Sequence, residues 1–364
     1  MDLGINFVQN VNSYFFGRGG KNLLSSYLTE LPTFQTNRVI YCVDEFFKSQ
    51  QAITSEFPLR NRDDLIFIST SEEPTTQYID DLMLSLTDRT SNKPCAIIGF
   101  GGGATMDIAK AVSNLFNNKG SAADYQGWDL LKNKGIHKVA IPTISGTGAE
   151  ATRTCVMSNK RTGLKLGMNS RFTVFDHVIM DPDLPITVPN NQYFYTGMDA
   201  FIHCFESQAG RHRNPIGDAF CSQVINLCQR IFLDGEMKSP DNMERLMVAS
   251  YLGGCAIATS YVGLVHPFSA GLSIVLGLPH CLANCIVMRA MENFYPKPYE
   301  DFWNMVDKQG VQIPRGVCSG LTEDQCIALY NATIIHEKPL GNALGDNFKD
   351  ILTLDKTMQI FEEM

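Results

Sequence analysis

Apolar and polar positions along this chain fall into two textures that meet near residue 185. Before that point, short apolar runs rich in β-branched residues alternate with segments of helical period. The runs are RVIYCVDE (38–45), LIFIST (65–70), CAIIGF (95–100) and KVAIPT (138–143), and TQYIDDLMLSLTDR and ATMDIAKAVSNLF lie between them. Strands separated by helices predict βαβ units and a parallel sheet. From about Asn190 onward, helical patterns such as DAFCSQVINLCQRIF, MERLMVASYLGGCAIATSY, LANCIVMRAMENFY and EDQCIALYNATIIHE follow one another without a convincing strand. DPDLPITVPNN, with its three prolines, is the natural boundary. The pattern predicts a Rossmann-like α/β nucleotide-binding domain over 1–185 and an all-helical domain over 186–364, with a cleft between them. The longest weakly polar stretch, LGGCAIATSYVGLV, falls short of the roughly 20 apolar residues of a membrane span and predicts a buried helix.

Composition narrows the class of partner. A hydrophobic fraction of 44% gives ample core, and a net charge of −8 speaks against nucleic acid or an anionic membrane surface. The eleven cysteines form no CxxC pair and sit mostly in apolar runs, as in a reducing compartment. MDLGINFVQN lacks the basic-then-apolar order of a signal peptide, so a cytoplasmic location is expected.

Two turns after strands carry candidate chemistry. GFGGGATMD (99–107) opens a helix, and Gly101, Gly102 and Gly103 would let backbone amides approach a phosphate at the positive end of that helix. The loop is neither GxGxxG nor a Walker loop, and a glycine-rich turn without a ligand would read the same way. PTISGTGAE (142–150) follows another strand, and ligands of parallel sheets bind at such ends. Asp44 closes an earlier strand, where it is either a plain loop acid or a carboxylate that would accept from a ribose diol and repel a 2′-phosphate, favouring NAD over NADP.

GMDAFIHCFES (197–207) places Asp199 and His203 at i and i+4, on one face of a helix about 5–6 Å apart. A carboxylate in an apolar run needs a partner. His266 and His280 lie in HPFSAGLSIVLGLPH, equally apolar. Each alone reads as a satisfied core histidine; together, one carboxylate and three imidazoles suit Fe²⁺, Zn²⁺, Co²⁺ or Ni²⁺ and leave a position for substrate. GRHRNP (210–215) concentrates Arg211 and Arg213, which either form a solvated turn or reach the cleft as contacts to an anionic substrate.

FGRGG, GFGGGATMDIAK, PTISGTGAEAT, DPDLPITVP, GMDAFIHCFE and HPFSAGLSIVLGLPH, in this order, resemble the motifs of the iron-containing (group III) alcohol dehydrogenase family along essentially the whole chain. The resemblance implies the dehydroquinate synthase-like fold. It also implies a metal, Fe²⁺ or alternatively Zn²⁺, held by Asp199, His203, His266 and His280. Gly101, Gly102, Gly103 and Asp107 would belong to the NAD pyrophosphate, and Thr143, Ser145, Thr152 and Lys165 would line the rest of the nucleotide. The implied activity is oxidation of a primary alcohol or reduction of an aldehyde, by a homodimer. Beyond the metal ligands, no catalytic residue is implied.

The chain departs from the family where many members carry HGxxH: Pro267 and Ala270 stand here, and Cys281 replaces the usual glycine after the last histidine. These departures and HEKPLGNALGDNFKDILTL resemble a sugar-acid branch that oxidises the terminal hydroxyl of 3-deoxy-manno-octulosonate and passes electrons to oxygen. The alternatives are a simple alcohol or aldehyde dehydrogenase, a dehydroquinate-synthase-like lyase, and a non-catalytic nucleotide- or metal-binding regulator. The Asp–xxx–His pair speaks against the lyase.

Overall fold

The computed structural model describes residues 8–50, 55–88 and 92–364. A six-stranded sheet organises the first half, in the order β1 (Ser13–Phe16), β9 (His177–Met180), β6 (Lys138–Pro142), β4 (Ala96–Gly101), β2 (Val39–Asp44) and β3 (Asp64–Ile68). Every pairing in it is parallel. β2, β4 and β6 are apolar on both faces because helices and loops cover both, and buried strands read as continuous apolar runs rather than alternations. The helices Thr76–Asp88 and Gly103–Leu115 are the two legible from helical period. The chain runs from β2 outward to β3 and then returns past β2 to β4, so the strand order reverses between β2 and β4. Crevices at such reversals are where open parallel sheets bind ligands. Asp44 and Gly101 are the last residues of those two strands.

A second, three-stranded sheet was not legible as strands: β5 (Gly127–Trp128), β8 (Leu164–Asn169) and β7 (Thr154–Asn159). β7 and β8 pair antiparallel, with Ser158 opposite Lys165, and Gly163 at φ +67° turns the chain between them. TCVMSN and LKLGMN are short and mix polar with apolar residues, so their period is weak.

Beyond β9 the described residues form helices. Pro189 precedes the helix Asn190–Ala209. Pro215 opens the next, with the Asn214 side chain accepting from Gly217 N, and Pro240 opens a third, with Ser239 capping Asn242 N. Proline at the first helical position after a capping side chain is a strong start signal. Their apolar faces converge on a core that includes Phe194, Phe201, Phe232, Leu246 and Phe268. No described helix is long and apolar enough to cross a membrane.

The two halves meet where the turn after β6 packs against the helices. Gly148 N donates to Ser250 Oγ (3.1 Å), which donates to Glu150 Oε1 (2.8 Å). A side chain at Gly146 would lie 1.7 Å from Thr196 O, three residues before Asp199. The second glycine turn therefore seats on the helix that carries Asp199 and His203.

Candidate metal centre and nucleotide cleft

Asp199 is fully buried, and its Oδ1 is the point on which three imidazoles converge. His203 Nε2 lies 3.6 Å from it, His266 Nε2 3.4 Å and His280 Nε2 3.8 Å. His266 stands at the start of the helix Val265–Leu276, and His280 is the first residue of the helix His280–Val287. Two helix starts and one mid-helix turn thus bring together residues far apart in the chain. Ligand atoms of Asp199, His266 and His280 all lie within 4.8 Å of one another. His203 joins this group through Asp199 and stacks on His266 (ring centroids 4.6 Å, 15°).

Neighbouring residues fix these side chains. Glu206, one turn beyond His203 and fully buried, accepts from His266 Nδ1 and from Val265 N, which leaves Nε2 of His266 turned inward. Asn284 Nδ2 lies 2.7 Å from Asp199 Oδ1 and 3.4 Å from Nε2 of both His266 and His280. Cys281 Sγ donates to Asp199 Oδ2 (3.6 Å), a contact that a glycine there lacks. Neither Glu206 nor Asn284 was singled out from the sequence, although each follows a ligand histidine by one helical turn.

Burial disfavours the Asp199 carboxylate, but His203, His280 and His266 outweigh it and hold the carboxyl well below the usual range. Burial pulls His203 and His280 down to about 4, so both are neutral near pH 7. For His266, burial is outweighed by the carboxylates of Glu206 and Asp199, which push it up to about 9. One buried carboxylate and three imidazole nitrogens facing one point form a set of potential metal donor atoms, with the Asn284 amide hydrogen held on the same carboxylate oxygen. This donor set fits a divalent transition ion and not the all-oxygen shells of Mg²⁺ or Ca²⁺.

On the nucleotide side, Asp44 accepts from Phe46 N (3.0 Å) and Thr70 Oγ1 (3.4 Å), and burial raises its carboxyl. It borders a cavity of about 540 Å³ whose walls include Phe46, Lys48, Ser69 and Thr70. The glycines are required by the packing itself: a Cβ at Gly101 would lie 2.6 Å from Thr105 Oγ1, and one at Gly102 2.9 Å from Ile144 Cγ2. Thr143 N donates to Gly101 O (3.0 Å), tying the two turns together. Ser145 Oγ is buried without a hydrogen-bond partner among the described residues.

Asp107 accepts from Val156 N (2.9 Å) and is pushed up to about 6 by burial. The Thr152 hydroxyl accepts from the buried ammonium of Lys110 (2.9 Å), which also donates to Thr152 O and Thr154 O. These two side chains thus tie the Gly103–Leu115 helix to β7. Lys165 pairs with Glu73 (3.2 Å), and Glu73 Oε1 accepts from His280 N (3.1 Å). Glu73 therefore links the β7–β8 hairpin to the metal centre, across a sequence distance that no local pattern signals. Arg211 pairs with Asp346 (2.7 Å) and Arg213 with Asp218 (2.8 Å), both arginines being well exposed.

Residues 12–182 match the family model described as iron-containing alcohol dehydrogenase, and residues 193–319 match the model of the C-terminal part of that family. The chain is 35% identical over 191 residues to the sulfoacetaldehyde reductase of Bilophila wadsworthia, covering 51% of this chain and 49% of that protein. It is 32% identical over 197 residues to the 1,3-propanediol dehydrogenase of Citrobacter freundii, covering 53% and 50%. The chain spans about half the length of the curated relatives it matches. Among solved structures, a 1,3-propanediol oxidoreductase superposes with a TM-score of 0.82 at 22% identity, covering 98% of this chain and 99% of that one. A sulfoacetaldehyde reductase from Bifidobacterium kashiwanohense in complex with NAD⁺ does so with 0.80 at 20% identity, covering 98% of each. At these identities the likeness is one of fold.

Proposed function

The chain belongs to the iron-containing alcohol dehydrogenase family, and from that premise we propose that it is a metal-dependent oxidoreductase moving hydride between a nicotinamide dinucleotide and the CH–OH carbon of a primary alcohol, or the reverse from an aldehyde. The observation that carries this reading is the meeting of Asp199, His203, His266 and His280 beside the turn after β6. Bound there, a divalent ion supplies Lewis-acid polarisation of the substrate oxygen.

The protein's own residues do the rest. Glu206 holds the His266 ring so that one nitrogen faces the centre, and Asn284 orients the Asp199 carboxylate. The Gly101–Gly103 turn and the start of its helix present amide hydrogens to the dinucleotide's phosphates, and Asp44 takes the adenosine ribose. Thr143, Ser145 and Lys165 line the path toward the metal. Asp107 and Thr152 act on the nucleotide indirectly, by fixing the helix behind the glycine turn. No nucleophilic serine or cysteine is needed.

Within this class, the finer reading is the terminal hydroxyl of a sugar acid such as 3-deoxy-manno-octulosonate. It is supported by the departures at Pro267, Ala270 and Cys281. Assembly as a homodimer belongs to the same proposal and is read by sedimentation. The deciding experiment is anaerobic purification with Fe²⁺, then turnover of simple alcohols, diols and sugar acids, followed by nicotinamide absorbance and by oxygen uptake. Reduction of NAD⁺ by a primary alcohol is the expected result. Oxygen uptake without dinucleotide reduction would reassign the electron acceptor. No turnover of any alcohol or aldehyde with metal and dinucleotide both bound would leave a binding protein instead.

A further inference from the structure

Asn284 is fully buried, and the two ends of its amide have unequal surroundings. Nδ2 lies 2.7 Å from Asp199 Oδ1 and 3.4 Å from Nε2 of both His266 and His280. Oδ1 has no hydrogen-bond partner among the described residues. The helix His280–Val287 places Asn284 one turn after His280 and on the same face. Glu73 fixes the start of that helix by accepting from His280 N. The amide is therefore held within reach of three of the donor atoms at once.

Spacing argues for a part in metal binding. Two atoms each bonded to one ion at about 2.1 Å stand roughly 3.0 Å apart at a right angle and roughly 3.4 Å apart at the tetrahedral angle. The contacts of Asn284 Nδ2, at 2.7 and 3.4 Å, have that spacing. Those of the three imidazoles with Asp199 Oδ1 are slightly wider, from 3.4 to 3.8 Å. The position thus suits one more ligand atom, but an amide nitrogen carrying two hydrogens is not one. With a cation bound, the lone pairs of Asp199 and the histidines point at the ion, and those hydrogens would face positive charge. An amide that turns about its last torsion exchanges its two ends in nearly the same space. Turned in this way, Asn284 offers a carbonyl oxygen to the ion, and its unpaired buried acceptor gains a partner.

We infer that Asn284 is a fifth protein ligand, presenting Oδ1 to the ion beside Asp199, His203, His266 and His280, and that this added oxygen favours Fe²⁺ or Co²⁺ over Zn²⁺. Zn²⁺ settles most readily at four ligands, whereas Fe²⁺ and Co²⁺ take five or six without difficulty. The inference rests on the metal centre of the proposed function and is independent of hydride transfer.

Crystals of the Co²⁺-loaded protein, with the ion located by its anomalous scattering, test it without a variant. An amide atom of Asn284 within about 2.0–2.3 Å of the ion is expected, a distance that only the oxygen can adopt; a nearest amide atom beyond about 3 Å overturns the inference. An ion that avoids Asp199 and the three histidines would overturn the metal-centre reading, and the fifth ligand with it. In solution, Asn284→Leu keeps the volume and leaves no room for a replacing water. It is expected to weaken Co²⁺ binding by more than about tenfold, Zn²⁺ binding by less, and to strengthen the visible absorption of bound Co²⁺ as one donor is lost. Asn284→Asp, which keeps an oxygen, is expected to retain Co²⁺. Equal or tighter Co²⁺ binding in Asn284→Leu, with an unaltered spectrum, would show that the amide competes with the ion and would overturn its role as a ligand while leaving the four-residue centre intact.

Discussion

Glu206 and His266, on different helices, share a hydrogen bond from Nδ1 to a carboxylate oxygen, and the same carboxylate takes the Val265 amide at the start of the His266 helix. One acid therefore sets both where that helix begins and which ring nitrogen faces Asp199. Partners behind metal-bound histidines usually change metal affinity by about 10–100-fold when lost. Glu206→Gln is expected to raise the dissociation constant for Zn²⁺ or Fe²⁺ by that amount while leaving NADH binding intact. The glutamine oxygen can still accept from Val265 N, so folding survives. Metal titration with a competing chelator checks this; an unaltered affinity would show that Glu206 only supports the helix.

A second prediction concerns the seat between the halves. Gly146 has φ +142°, and a Cβ there would meet the Thr196 carbonyl oxygen at 1.7 Å. Neither backbone can yield without moving the helix that carries Asp199. Gly146→Ala is expected to cost more than about 3 kcal/mol or to prevent folding, combining strain with a clash. Gly163, at φ +67° with open space around it, serves as the control. Its alanine variant should lose only about 1–2 kcal/mol. Chemical denaturation of both separates the causes; equal losses would mean that backbone conformation alone is responsible.

How much was legible follows from which contacts are local. VIYCVD, AIIGFG and KVAIP announce themselves as strands because they are apolar on both faces, and Asp199 with His203 announces itself because four residues make one helical turn. β1, SYFF, stayed hidden: it lies at the sheet edge, mostly exposed, with no alternation to read. Glu73 stayed hidden for another reason: its role comes from tertiary packing, since it meets His280 from 207 residues away. Glu206 and Asn284 lie between these cases, since each sits one turn from a ligand and helical spacing alone would have found them.

Dinucleotide choice gives a third test. Asp44 ends β2 beside the 540 Å³ cavity and caps the short turn Glu45–Ser49 through Phe46 N. Serine keeps a capping oxygen but removes the charge. Asp44→Ser is expected to weaken NADH binding by about tenfold or more, the worth of a hydrogen bond to a charged group, and to narrow the gap between NADH and NADPH. Fluorescence titration with both dinucleotides reads it. If NADH affinity is unchanged, the ribose lies elsewhere.

Acid stability supplies the last prediction, at the end of the sheet remote from the cleft. His177 stacks on Tyr27 (3.9 Å between centroids), bonds Ser13 Oγ through Nδ1, and is pulled down to about 4 by burial and by His137. His137 is lowered in the same sense by burial. Asp176 faces both this group and the ammonium groups of Lys134 and Lys138, which outweigh burial and hold its carboxyl below the usual range. For His177, the unfolded chain binds a proton below about pH 6.5 that the folded chain refuses until about pH 4, so stability falls as pH drops through that window, and the lowered His137 adds to the loss in the same direction. For Asp176, the unfolded carboxyl protonates first, and stability falls again below about pH 4. His177→Gln should therefore flatten the melting temperature between pH 6.5 and 4 relative to wild type while leaving the steeper loss below pH 4. Asp176→Asn should do the opposite, lowering stability at pH 7 and converging with wild type in acid. Melting curves at half-unit steps distinguish them, and parallel curves for all three proteins would remove this cluster from the acid response.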